Sequence, residues 1–107
     1  MSRTILALAI GLVFAAQAAR ADTQATYRCD NGKRFTITFL SANDYRNARL
    51  LFAGSTRPVT MENQASGSGS TYAGGGWLFH EHHGDAGLTE LAAKPSKDIP
   101  CHAVGGP

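Results

Sequence analysis

Basic clusters, helical periodicity and internal repeats are all missing from this 107-residue chain, which carries two cysteines and four prolines. Ten Lys and Arg stand against eight Asp and Glu, and no stretch gathers the basic residues into a stripe. A nucleic-acid groove needs such a stripe, so nucleic acid is not an expected partner. No one-signed field broad enough to steer a partner is present either. Two cysteines cannot build a cysteine zinc site. The chain has no His-Glu-x-x-His, no pair of carboxylates at a useful spacing, and no Ser, His and acid that a strand reading brings together. It is not expected to be an enzyme or to carry a cofactor. The lack of repeats excludes a solenoid.

The one long apolar run lies at the N-terminus. Arg3 precedes it, Ile5 to Ala16 form it, and Ala19-Arg20-Ala21 follows with small residues. This is the pattern of a secretory signal peptide, residues 1–21, with cleavage expected between Ala21 and Asp22. The run is short for a bilayer span. Lipidation needs a cysteine at the end of the signal, and the first one here is Cys29, after Tyr27-Arg28. The mature chain is therefore expected to be periplasmic, without a membrane anchor, its oligomeric state left open. Arg3 and Arg20 leave with the signal, so eight basic residues balance eight acidic ones.

Residues 22–107 suffice for one small domain, and a core of that size is marginal. Cys29 and Cys101 lie near its two ends. In an exported chain this predicts one disulfide tying the first strand to the last.

Alternation of period two marks the strands. Ala25, Tyr27 and Cys29 alternate with Thr26 and Arg28, and Asp30-Asn31-Gly32 is a hairpin turn. Lys33 to Phe39 is the clearest strand, with Phe35, Ile37 and Phe39 facing the core. Ser41 to Tyr45 reads as a loop. Asn47 to Phe52 alternates again through Ala48, Leu50 and Phe52. Thr56 to Met61 contains Pro58, which suits an edge position. After a Gly/Ser-rich loop, Ser66 to Ser70, come a strand through Tyr72, a turn at Gly74 to Gly76, and strands at Trp77 to His82 and Asp85 to Leu91. Ala92 to Lys97 is a loop, Asp98 to His102 a last strand, and Val104 to Pro107 a frayed tail. Such strands without helical period predict an all-β sandwich or small barrel.

The stretch from Ser66 to Leu88 carries the candidate site. It joins a flexible loop to an aromatic strand ending in His80-Glu81-His82-His83. On a strand His80 and His82 share a face while His83 points away. Two metal ligands are conceivable there, three not without a bend. Trp77 reads as packing.

Tyr27-Arg28-Cys29-Asp30-Asn31-Gly32-Lys33 and the strand after it resemble the opening of the bacterial inhibitors of c-type lysozyme, the membrane-bound and periplasmic MliC and PliC proteins. That family has a second motif, Ser-Gly-x-x-Tyr, which Ser68-Gly69-Ser70-Thr71-Tyr72 matches. Its third is an aromatic strand, Lys-Gly, then Ala-x-Leu; Phe79 and Ala86-Gly87-Leu88 fit that frame, and Cys101 fits the closing cysteine. The resemblance spans nearly the whole mature chain. It implies an antiparallel β-barrel of about eight strands. It also implies inhibition by occlusion: a Ser and a Lys approach the two catalytic carboxyls of lysozyme. By position the Ser is Ser68, flanked by Gly69 and followed by Tyr72. The Lys position departs from the pattern. Without a gap it falls on His82, and the following Gly on His83; a one-residue insertion would instead make His83 the cationic position and Gly84 the Gly.

The expected function is thus an exported inhibitor of c-type lysozyme that binds its protein partner through Ser68, Gly69, Tyr72 and His82. The alternative is an exported β-barrel that binds metal through the His80 to His83 cluster.

Overall fold

The computed structural model describes residues 21–104. Residues 1–20 of the segment read as a signal peptide and the last three residues of the tail lie outside the described residues. Eight strands follow in chain order: β1 Thr23–Cys29, β2 Arg34–Leu40, β3 Asn47–Phe52, β4 Val59–Gln64, β5 Ser70–Gly74, β6 Trp77–His82, β7 Asp85–Glu90 and β8 Lys97–Ala103. Each pairs antiparallel with the next, and β8 returns to β1 to close the barrel.

The alternation read from the sequence is the barrel wall. Tyr27, Phe35, Ile37, Ala48, Leu50, Met61, Phe79, Leu88 and Ile99 point inward and are buried. Aromatic rings fill the centre: Tyr27 stacks on Phe35 at 5.4 Å, and Phe79 meets both edge-on. Edge-to-face pairs of this kind each add about 0.5–1.5 kcal/mol beyond burial. Cys29 and Cys101 are register partners on β1 and β8 and form the expected disulfide.

The edge position foreseen for the Pro58 strand does not occur, because closure leaves no edge. Pro58 instead precedes β4, which starts at Val59 and runs on to Gln64. Its missing N–H therefore falls outside the ladder, which is where a proline is tolerated. The polar stretch after β2 is a short 3-10 helix, Ser41–Asn43. Leu91 lies just past β7, where its N–H donates to the Gly76 carbonyl at 2.9 Å.

The two barrel ends differ. At one, Phe52 packs on Trp77 at 5.1 Å and the Lys33 ammonium lies over both rings, plugging the barrel. The other end gathers the start of β5, the end of β6, the Ser66 to Gly69 loop and the β6–β7 turn. It is open.

Candidate functional site

Register brings the candidate residues together. Ser70 pairs with Glu81, and His82 pairs with Asp85 across the β6–β7 hairpin. The loop ahead of Ser70 therefore lies against the end of β6. Gly69 makes this possible. Its φ is +68°, and a Cβ placed there would stand 2.0 Å from the Glu81 carbonyl oxygen and 3.2 Å from the His82 Cβ. Only a residue without a side chain lets the two backbones approach so closely. Ser68, next to it, is exposed. Its carbonyl accepts a hydrogen bond from the Ser66 hydroxyl at 2.7 Å, so the loop is braced from within.

His82 ends β6 and is exposed, as is His83; their rings lie 4.0 Å apart. His83 and Gly84 form the hairpin turn with φ of +54° and +85°. A two-residue turn of this kind wants positive φ at both central positions. In the ungapped frame His83 occupies the family's glycine position, and its left-handed φ gives that glycine a physical reason. His82 stands at the Lys position in that frame; in the frame with one inserted residue, Gly84 takes the glycine position and His83 the Lys position, and Gly84 has a positive φ as well.

Tyr72 faces inward. Its side chain is 4% exposed, its ring packs on Phe39 at 5.2 Å, and its hydroxyl donates to the Tyr45 carbonyl at 2.5 Å. It is a core residue that holds the loop above it. Tyr45 needs the support: its φ is +61°, a conformation that costs a bulky residue about 1–3 kcal/mol. Its N–H donates to the Leu40 carbonyl at 3.1 Å, and its hydroxyl donates to the Ala21 carbonyl at 3.1 Å.

Beneath these groups the barrel mouth opens as a cavity of about 410 Å³. Its walls are the rings of Tyr27, Phe39, Tyr45 and Tyr72, and Thr23, Ser70 and Glu81 rim it. The sequence reading missed this mouth. The signal was there, since Trp77, Phe79 and Glu81 have the same parity on β6, so an inward Phe79 puts Glu81 inward at the open end.

Burial pushes the Tyr27 hydroxyl pKa above its ordinary value, and the nearby Glu81 charge adds to the effect. Burial does the same to Tyr72. Both groups keep their protons to higher pH in the folded chain than in the unfolded one. Stability is therefore fully present below about pH 10, the unfolded tyrosine value, and is lost as pH rises from there toward the folded values. Tyr72→Phe should cost about 1 kcal/mol at pH 7 through the lost hydrogen bond to Tyr45. The variant should also lose less stability than the parent between pH 9 and 11. Parallel urea melts across that range test both parts, and unchanged alkaline sensitivity would sink the second.

The His cluster does not assemble as a metal site. The Nδ1 atom of His80 lies 2.6 Å from the Thr71 hydroxyl on the neighbouring strand, which leaves His82 and His83 as an exposed pair. Among the described residues no group of three or more His, Cys, Asp or Glu side chains is placed to hold an ion. The metal-binding alternative draws no support from this geometry.

The family profile of the membrane-bound lysozyme-inhibitor of c-type lysozyme, MliC, matches residues 27–97. Among solved structures the chain is similar to Pseudomonas aeruginosa MliC, crystallised in complex with hen egg white lysozyme. The two share 23% identity at a TM-score of 0.59, over 78% of this chain and 82% of that one. A comparison with curated proteins found no match. The profile covers well over half of the chain and includes both motifs of the open end, and the structural likeness is one of fold. The chain belongs to the MliC family of inhibitors of c-type lysozyme.

Proposed function

We propose that this protein is exported, cleaved near Ala21 and Asp22 into a single domain of residues 22–107, and inhibits a c-type lysozyme by seating the open barrel end in the enzyme's cleft. The observation that carries the reading is the close approach of Gly69 to Glu81 and His82. It ties the loop that carries Ser68 to the strand end that carries His82. The disulfide suits an oxidising compartment outside the cytoplasm.

Lysozyme works through two carboxyl groups, one protonated and one ionised. In this reading the Ser68 hydroxyl hydrogen-bonds to one of them while the His82 imidazole donates to the other. The loop meanwhile excludes substrate and water. A hydrogen bond to a charged group contributes about 1.5–3 kcal/mol. The His82 imidazole lacks the ammonium of the family's Lys, with its three donors, so in this reading Ser68 bears more of the binding.

The test is a bacterial cell-wall turbidity assay with a c-type lysozyme and the mature protein. The parent should suppress clearing. Ser68→Ala should leave stability within about 0.5 kcal/mol, as for an ordinary surface change, and weaken inhibition about tenfold or more. A parent that leaves clearing unaffected refutes the inhibitor reading. A Ser68→Ala variant that inhibits like the parent refutes the role given to Ser68.

A further inference from the structure

The barrel mouth holds groups that the Ser68 and His82 contacts leave unused. Tyr27 is 4% exposed, yet its hydroxyl has no hydrogen-bond partner among the described residues. No polar side-chain atom among them is fully buried and unpaired, so this hydroxyl opens into the mouth cavity that Tyr27 lines. A buried ring whose polar tip faces an open cavity offers an entering ligand a hydrogen-bonding group. Glu81 lies on the same rim. Its Oε2 accepts from the Gly84 N–H at 3.1 Å, and its remaining acceptor capacity is unused. Among the described residues no Lys, Arg or His lines this cavity.

The chemistry of the ligand follows from these groups. An anion would meet the Glu81 carboxylate without a compensating cation. An apolar group would expel water from Glu81 and Tyr27 and leave both unpaired. A cation with several N–H donors and a flat face meets the acceptors and the aromatic rings present. It donates to the Glu81 carboxylate and to the Tyr27 hydroxyl oxygen while lying against aromatic rings. A guanidinium does this better than an ammonium, because it is planar and offers its donors as a fork. The mouth shares its end of the barrel with Ser68 and His82, so a protein seated on those residues covers it. Strained Tyr45 is held in its wall by hydrogen bonds to Leu40 and Tyr72 that signal cleavage leaves in place, so the wall is formed before any ligand arrives.

We propose that the barrel mouth, with the Glu81 carboxylate and the Tyr27 hydroxyl inside an aromatic wall, receives the guanidinium of an arginine side chain on the bound protein partner. The partner part of this assignment rests on the lysozyme reading above; the mouth as a guanidinium site does not.

N-acetyl-arginine methylamide, titrated into the disulfide-bonded protein at low salt and followed by amide NMR shifts, is the direct probe. Saturable shifts should centre on residues of the mouth. The neutral N-acetyl-citrulline methylamide, of the same shape, should bind at least tenfold more weakly. Glu81→Gln keeps an acceptor for the Gly84 N–H, and so the hairpin, but removes the charge; it should weaken arginine amide binding at least tenfold. Tyr27→Phe, which keeps the ring, should weaken it several-fold. In the turbidity assay Glu81→Gln should raise the concentration needed for half-inhibition at least tenfold with Ser68 intact. No saturable binding of the arginine amide, or equal binding of the citrulline amide, overturns the site. Arginine amide binding with undiminished inhibition by Glu81→Gln overturns its use by the partner. A parent that binds the amide but does not inhibit lysozyme defeats the lysozyme reading and upholds the mouth.

Discussion

Replacing both Cys29 and Cys101 by alanine is expected to lower the unfolding free energy by about 4 kcal/mol. The bond joins residues 72 apart in sequence, and closing a loop that long removes much of the entropy of the unfolded chain. Its place in the barrel compounds the effect. β8 meets β1 through three register pairs, Tyr27 with Ala103, Arg28 with His102 and Cys29 with Cys101, whereas β1 meets β2 through six. This seam is also the pairing most distant in sequence. It gains least from local contacts and is the natural place for the barrel to open. An opened seam exposes two strand edges, with their unpaired N–H and C=O groups, to other chains. Domains of this size have roughly 5–15 kcal/mol of total stability, so the double variant should be partly unfolded or prone to aggregate near 37 °C. Urea melts of parent and variant under non-reducing conditions measure the difference. A loss below about 1 kcal/mol would mean that the seam holds without the bond. Non-reducing mass spectrometry should find the parent two hydrogens lighter than its reduced form.

Most of the barrel was legible before any coordinates, and the reason is periodicity. Phe35, Ile37 and Phe39 on β2, and Ala48 and Leu50 on β3, sit on one face because successive strand residues alternate sides. The turns at Asn31-Gly32 before β2 and at Gly54 after β3 limit where these strands can end. Closure was less legible. Pro58 looks like an edge marker within its own segment, and the pairing of β8 with β1 that abolishes edges depends on residues over seventy positions apart. The site was legible as a stretch but not residue by residue. Tyr72 stands in a motif that reads as partner contact, yet its side chain is buried under Tyr45. Ring parity could have predicted this, because Tyr72 pairs with Phe79 across the β5–β6 ladder. Gly69 stands in the same motif, and the close approach it permits is made to a strand end twelve residues away. A Gly/Ser-rich loop gives no sign of such a contact. Glu81 is hard to single out among the histidines around it, yet strand parity turns it into the mouth.

Gly69→Ala should abolish inhibition more thoroughly than Ser68→Ala does, although Gly69 has no side chain to lose. The added Cβ would stand 2.0 Å from the Glu81 carbonyl oxygen and 3.1 Å from its carbonyl carbon. Both are backbone atoms of a paired strand, so no rotamer change relieves the contact. The φ of +68° adds the penalty that any residue with a Cβ meets in the left-handed region. The loop therefore has to lift off β6 by an ångström or more and carry Ser68 with it. It lies between β4 and β5, outside the hydrogen-bonded ladders, so the barrel should survive with a loss of about 1–3 kcal/mol. Binding should suffer more, since displacing a positioned group by about 1 Å can cost roughly 100-fold. Gly67→Ala is the matched control. A Cβ at Gly67 meets nothing within 4 Å, and its φ is not in the left-handed region, so that variant should inhibit like the parent. If the loop were an unstructured linker, the two alanines would behave alike. Half-inhibition concentrations for parent, Gly67→Ala, Ser68→Ala and Gly69→Ala in one turbidity assay, with thermal melts alongside, decide between the two. The expected order of loss is Gly69→Ala, then Ser68→Ala, with Gly67→Ala unchanged. Equal inhibition by the two glycine variants would show that the contact between Gly69 and Glu81 does not hold Ser68 in place.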